Sequence, residues 1–225
     1  MASRGDLGGL IERERLPAGR EDLPEPLVAH SQRERILVAI AESCARKGLG
    51  ATTISDIVTP AGVSRATFYE LFEDKEDCFQ AAMELSLADA MERVMGAFSP
   101  EKPWATLVRD AAAAFLDLLA SRPAFARMAL VEAPACGERA FEMYAAGKRV
   151  LLMLLDRGRE EAIEPAIPVS AGRAALAGAE SLIVGQILAG NAGRLRELLP
   201  DVVYITLVPY LGQEEALRRS REVEE

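Results

Sequence analysis

The sequence holds one histidine, one tryptophan and three cysteines in 225 residues. The histidine, His30, lies in a polar stretch. A Ser-His-Asp or Cys-His arrangement would have to recruit it from outside the patterned part of the chain, so hydrolases of that class are disfavoured. Cys44, Cys78 and Cys136 are odd in number and far apart, with no Cys-x-x-Cys pair. They imply neither a disulfide framework nor a zinc site, and they suit a reducing compartment. A Gly-rich phosphate loop, a metal-binding Glu-x-x-His spacing and a nucleophile–base pair are all missing. The chain therefore reads as a non-enzyme with no cofactor. It also lacks a clean membrane-length apolar run: Ala174 to Gly193 comes nearest, but Glu180, Ser181, Gln186 and Asn191 interrupt it, and Arg173 and Arg194 bracket it. That stretch reads as a buried helix of a soluble protein. Met1-Ala2-Ser3-Arg4-Gly5-Asp6 offers neither an apolar core nor a small-residue cleavage site, so a cytoplasmic location with no membrane partner is expected.

Half of the residues are hydrophobic, 27% are charged, and the mean hydropathy is +0.07. Enough apolar area is present to exclude global disorder. The net charge of −9 would argue against nucleic-acid binding if it were spread evenly. From Ser31 to Leu71, however, Arg33, Arg35, Arg46, Lys47 and Arg65 stand against Glu34, Glu42, Asp56 and Glu70, a net +1 that leaves −10 on the rest. The acidity belongs to the remainder, which argues against sequence-blind binding to nucleic acid.

Residues 1–30 mix glycine, proline and both charges without a period and read as a flexible arm. Arg13, Arg15 and Arg20 there suit either a minor-groove contact or a solvated tail whose acidic neighbours cancel them. From Ser31, Ile36, Leu37, Ile40, Ala41 and Cys44 form one apolar stripe at helical spacing, which Gly48 and Gly50 end after Arg46-Lys47. Thr53-Ile54-Ser55-Asp56 matches a capping box and opens a second, short helix. Pro60 is expected to shorten it, and Gly62 suits the turn that follows. Ser64 caps a third helix, Arg65 to Phe72, and Asp74 a fourth that runs toward Phe98. Two short helices joined by a glycine turn, behind a longer amphipathic one, describe a helix-turn-helix.

The residues Ala51-Thr52-Thr53-Ile54-Ser55-Asp56-Ile57-Val58, Ala61-Gly62-Val63-Ser64-Arg65-Ala66-Thr67-Phe68-Tyr69 and Phe72-Glu73-Asp74-Lys75-Glu76-Asp77 closely resemble the DNA-binding domain of the tetracycline-repressor (TetR) family. The resemblance covers roughly Ser31 to Met83. It implies an all-α homodimer, with a three-helix helix-turn-helix domain over 31–83 and a helical ligand-binding and dimerisation domain over 84–225. It further implies transcriptional control of a double-stranded DNA operator, usually repression relieved by a small-molecule effector. Arg65 and Thr67 resemble the family's groove-facing residues, Tyr69 and Lys75 its phosphate contacts, and Thr53 and Ser64 residues that touch phosphate from helix starts. Those side chains fit such roles: arginine can bond guanine twice, threonine offers a hydroxyl and a methyl, and lysine attracts phosphate. Phe68 and Phe72 read as core. Pro60, Glu70 and Leu71 depart from the family pattern, and Glu70 near a duplex implies fewer phosphate contacts. The alternative is a helical small-molecule-binding or protein-binding regulator with weak or lost DNA binding.

Beyond Pro100, helical patterns run over Trp104–Ser121, Ala124–Glu132, Glu138–Glu161, Ala171–Leu199 and Asp201–Arg221, with Pro209 expected to kink the last. Trp104, Phe115, Phe125, Met128, Phe141, Tyr144 and Leu151 suit either an apolar effector pocket or ordinary core. Along 171–199, Ala174, Gly178, Ser181, Gly185 and Ala192 share one narrow face, and Leu176, Ile183 and Ile187 the opposite one. A helix apolar on both sides is sandwiched between its own domain and a partner subunit, or is buried within a monomer.

Overall fold

A computed structural model describes residues 25–97, 99, 101–163 and 167–222. Arg13, Arg15 and Arg20 thus lie outside the described residues. Nine α-helices and no strand occur among those that are described: α1 Glu25–Ala51, α2 Ile54–Ala61, α3 Arg65–Leu71, α4 Lys75–Gly96, α5 Trp104–Ser121, α6 Pro123–Arg127, α7 Glu138–Asp156, α8 Ala171–Leu188 and α9 Leu199–Ser220. The fold is all-α, as expected. Helix α1 begins six residues before Ser31, so Glu25 to His30 are helical rather than part of an arm. It breaks at Gly48, whose φ is 78°, where the sequence placed its end.

Local chemistry sets the next three elements. Helix α2 opens on the expected capping box: the Thr53 amide donates to the Asp56 carboxylate at 2.8 Å, and the Asp56 amide donates to the Thr53 hydroxyl at 3.4 Å. Pro60 does not end this helix early, because it continues to Ala61. At the next-to-last position, the missing N–H removes one bond without undoing the turn. Gly62 closes α2 in the left-handed conformation (φ 64°, ψ 40°), which a side chain would strain. Ser64 accepts from the Thr67 amide at 2.9 Å to start α3, and Asp74 accepts from the Asp77 amide at 2.7 Å to start α4.

The body departs from its expected boundaries in four places. Helix α7 stops at Asp156, and a 3-10 turn over Arg157–Glu160 takes the place of the last turn expected to reach Glu161. The segment after Pro123 is α-helical only to Arg127, then continues as a π-turn over Met128–Glu132 and a 3-10 turn over Ala133–Ala135. Helix α8 stops at Leu188, and a 3-10 turn over Ala192–Leu198 leads into α9, so the expected 171–199 helix is two elements. Helix α9 passes through Pro209 unbroken and kinks at Gly212 (φ 73°). Within the described residues, no helix is long and apolar enough to cross a membrane.

Two apolar cores result. One gathers Ile36, Leu37, Ile40, Cys44, Ile57, Phe68, Phe72 and Phe79 under the first four helices, and it also takes in Met128, Ala133 and Ala140. The other joins Trp104, Leu116, Leu155, Ile183, Leu195, Val203, Leu207 and Tyr210. Burial pushes the Cys44 thiol up to about 12 and raises those of Cys78 and Cys136, consistent with packing residues rather than nucleophiles.

Candidate functional site

The α2–turn–α3 unit presents its polar residues outward while Phe68, fully buried, pins α3 to the core. Arg65, Ser64 and Tyr69 are exposed and Thr67 is half-buried. Arg65 Nη2 donates to Ser55 Oγ at 2.6 Å, so its guanidinium bridges the two helices and leaves four other donors unused by that bond. The Ser64 and Thr67 hydroxyls lie 2.9 Å apart. Tyr69 is 57% exposed and packs edge-on against Phe68, with ring centroids 5.4 Å apart, so the core fixes its ring while its hydroxyl faces water. Glu70 is exposed beside it. At the start of α2, Lys47 Nζ lies 2.5 Å from Asp56, and this ammonium, with the Thr53 hydroxyl and amide, holds the Asp56 carboxyl well below the usual carboxylate range.

Lys75 differs from its sequence-based expectation. Its Nζ donates to the carbonyls of Leu49 at 2.9 Å, Gly50 at 3.3 Å and Thr52 at 3.0 Å. All three ammonium protons are thereby engaged by the chain that links α1 to α2. In this geometry it ties the start of α4 to the chain between α1 and α2, and reaching a phosphate would require giving up one of those bonds. Ser55, which the sequence reading passed over, joins the exposed cluster through Arg65.

Inside the body, a space of about 850 Å³ unfilled by atoms, partly open to solvent, lies between α4, α5, α6 and α7. A second space of about 710 Å³ continues toward α8 and α9, and Phe115, Leu130, Lys148 and Leu151 line both. Of the residues expected to line a pocket, Phe115, Phe125, Tyr144 and Leu151 do so. Met128 is fully buried in the head core instead. Trp104 packs at 5.0 Å against Tyr210 and donates to the Leu154 carbonyl at 2.8 Å, away from the cavity wall. Phe141 is 51% exposed on the outside of α7. The sequence reading missed the α4 wall, Met83, Leu87, Met91 and Val94, although three of these repeat at i, i+4, i+8. It also missed Arg122, which no local pattern singles out.

Between the two spaces, Lys148 and Tyr144 both bond Glu180. Burial raises the Tyr144 pKa, with Glu180 adding to the effect. For Lys148, burial acts to lower it, but the bonds to Glu180 and Tyr144 outweigh this and leave it raised.

Helix α8 has the two faces its pattern implied. Ala175, Ala179, Ile183 and Ile187 are buried, whereas Ala174, Ser181, Leu182, Gly185 and Leu188 are exposed and Gly178 is half-buried against Ile205. Ala192 does not belong to the small face: α8 has already ended, and this residue is buried in the following turn.

Two short helices meeting at a left-handed glycine, with polar side chains turned outward, define a helix-turn-helix head, and a helical body that holds a cavity lies behind it. Residues 36–82 match the family model described as bacterial regulatory proteins, tetR family. The match to this family thus falls on α1 to the first turns of α4, the part that holds the helix-turn-helix. Its sequence is 33% identical over 75 residues to an uncharacterised HTH-type transcriptional regulator, YvdT of Bacillus subtilis (strain 168), a match spanning 33% of this chain and 39% of that relative. The whole fold is similar to the fatty acid degradation regulator FadR of Bacillus halodurans, with a TM-score of 0.69 at 17% identity over 81% of this chain and 96% of that one. It is also similar to FadR of Bacillus subtilis in complex with stearoyl-CoA, with a TM-score of 0.66 at 20% identity over 79% of this chain and 97% of that one.

Proposed function

We propose that the chain is a homodimeric transcriptional repressor that reads a two-fold DNA operator and whose operator affinity is set by a mostly apolar small molecule held in the body. The observation that carries this reading is the α2–α3 unit, where caps and a buried phenylalanine fix the backbone and leave Arg65, Thr67 and Tyr69 outward for a duplex. Arg65 and Thr67 are assigned to base edges, and Thr53, Ser64 and Tyr69 to phosphates. Lys75 acts at the same surface by holding the carbonyls of residues 49–52, with any phosphate contact made at their expense. One short recognition helix reads few base pairs, so a symmetric pair of heads set about 34 Å apart supplies the rest.

The exposed small face of α8 supports pairing with a second copy, since a side chain at Gly185 would meet no other helix of its own subunit within 4 Å. The effector half rests on the apolar cavity walled by α4, the helix that leads out of the reading head. The stearoyl-CoA held by the Bacillus subtilis neighbour supports an acyl-bearing effector here. Exposed Glu70 and the engaged Lys75 favour the second reading, a helical ligand- or protein-binding regulator with weak DNA affinity.

Capture of genomic fragments by the full chain, followed by sequencing, separates the two. The expected result is enrichment of a pseudo-palindromic site whose affinity falls steeply with salt. Equal recovery of all fragments would overturn operator reading. For assembly, Gly185→Leu is expected to sediment as a folded monomer, because the new side chain overpacks only a contact with another copy. An intact dimer of that variant would remove this face from the interface.

A further inference from the structure

We infer that the larger cavity takes a ligand with an apolar body and a single carboxylate, and that Arg122 Nη2 anchors the carboxylate. The inference rests on the effector reading above and adds to it the chemistry of the head group.

The cavity is walled by apolar side chains, among them Met83, Leu87, Met91, Phe115 and Phe125, and Arg122 stands in that wall. Its side chain is only 10% exposed. Nη1 donates to Asp89 Oδ2 at 2.5 Å, and Asp89, 7% exposed, also accepts from Arg93 Nε at 3.2 Å. Two guanidinium groups therefore share one carboxylate, and the cluster keeps a net positive charge. Arg122 Nη2 is buried and has no hydrogen-bond partner among the described residues. A charged donor left unsatisfied in an apolar wall is costly, and both the missing bond and the surplus charge call for an anionic acceptor.

A carboxylate in the cavity supplies both at once. The guanidinium fork can hold two carboxylates on different nitrogens, so the bond from Nη1 to Asp89 on α4 need not break. The other cation of the cavity, Lys148, does not compete for this role: Glu180 and Tyr144 already engage it, and its pair is neutral. A cationic ligand would be repelled by Arg122, and a neutral one would leave the surplus charge unbalanced. The remaining wall fixes the body of the ligand as aliphatic or aromatic, since polar groups are few. Because Asp89 lies on α4, a ligand seated on Arg122 adds to the cluster that links α4 to the α5–α6 junction.

The test uses the full chain and three probes that share one alkyl length: decanoate, methyl decanoate and decyltrimethylammonium. Calorimetric titration is expected to show decanoate binding at least tenfold more tightly than its methyl ester, with the ammonium probe weakest. In Arg122→Gln the acid and the ester are expected to bind alike. Should that variant fail to fold, Arg122→Lys keeps the charge near Asp89 but loses the fork, and it is expected to lose most of the preference for the acid. Equal binding of acid and ester to the unaltered chain would overturn the anchor while leaving an apolar effector cavity in place. Unaltered preference in a folded Arg122→Gln would overturn it too, as would no binding of any probe. Operator binding by the ligand-free chain, followed separately by fluorescence anisotropy, reports on the regulator reading and is independent of these outcomes.

Discussion

The reading head and the body hold their helices by different means. In the head, α2, α3 and α4 each open on a side-chain cap, from Thr53, Ser64 and Asp74 respectively. In the body, Pro103, Arg122, Gly137, Ser170 and Leu198 stand at the same position of α5 to α9, and none makes a side-chain cap bond. Helices of eight and seven residues, such as α2 and α3, are too short to be stable by themselves, so satisfied ends matter there. The longer body helices α5, α8 and α9 each bury several apolar residues and are held by packing. The starts of the head's helices are thus specified locally, while the body is held by contacts distant in sequence and leaves unfilled space between its helices. That division suits the proposed function, in which α3 presents a fixed surface and the body takes up a ligand.

The largest test of this contrast falls on the body. Trp104 is 3% exposed, packs on Tyr210, and leaves no room beside Gly158, where a side-chain carbon would fall 2.2 Å from its ring. Trp104→Ala is expected to cost about 3–5 kcal/mol of stability, read by chemical unfolding. A loss below about 1 kcal/mol would mean that the body is not held by long-range packing. Arg65→Ala should act on the other side of the comparison, weakening operator binding by about 1–3 kcal/mol and relaxing preference at one base pair per half-site while stability stays put. If the variant bound every sequence as the parent does, Arg65 would not be a reading residue.

A smaller effect separates the two regions directly. Ser64→Ala is expected to cost about 0.5–2 kcal/mol, because the Thr67 amide loses its acceptor. Ser170→Ala, at the equivalent place on α8, should change stability by no more than about 0.5 kcal/mol, since its hydroxyl makes no cap bond. Equal costs at the two serines, measured in the same denaturant, would erase the distinction.

The same division explains what was legible in the sequence. Thr53 with Asp56, Gly62, Ser64 and Asp74 carry their structural meaning within a few residues, and each was read correctly. Pro60 and Pro209 were not: both were expected to disturb their helices, yet α2 reaches Ala61 and α9 bends at Gly212. Whether a proline breaks a helix depends on the packing around it, which local pattern does not contain. In the body, helix starts such as Trp104, Glu138 and Ala171 were legible from periodicity and breakers. The pocket lining was not, because an apolar side chain reads alike whether it faces a core or a cavity: Met128 fills the head, Phe115 the pocket. Lys75 was assigned by its charge, whereas its three carbonyl partners lie 23 to 26 residues earlier.

The smallest expected effect concerns acid. Asp56 accepts from Lys47, from the Thr53 hydroxyl and from the Thr53 amide, all bonds to its charged form, which lower its folded pKa beneath the ordinary 3.8. A carboxyl whose folded pKa lies below its unfolded one stabilises the fold fully above the unfolded value, and that contribution is lost as pH falls through the folded one. Between about pH 5 and pH 2, the start of α2 should therefore loosen before any body element held by apolar packing, since neutralising a carboxylate leaves burial unchanged. The group is exposed, so added salt should shrink the effect by screening the Lys47 contact. Asp56→Asn should flatten this part of the pH profile, because the amide cannot titrate. Amide exchange at Ile54 to Ile57, compared with exchange in α8 over the same range, reads the difference. Acid sensitivity that begins in α8, or that survives in Asp56→Asn, would place the weak point of the molecule outside the capped head.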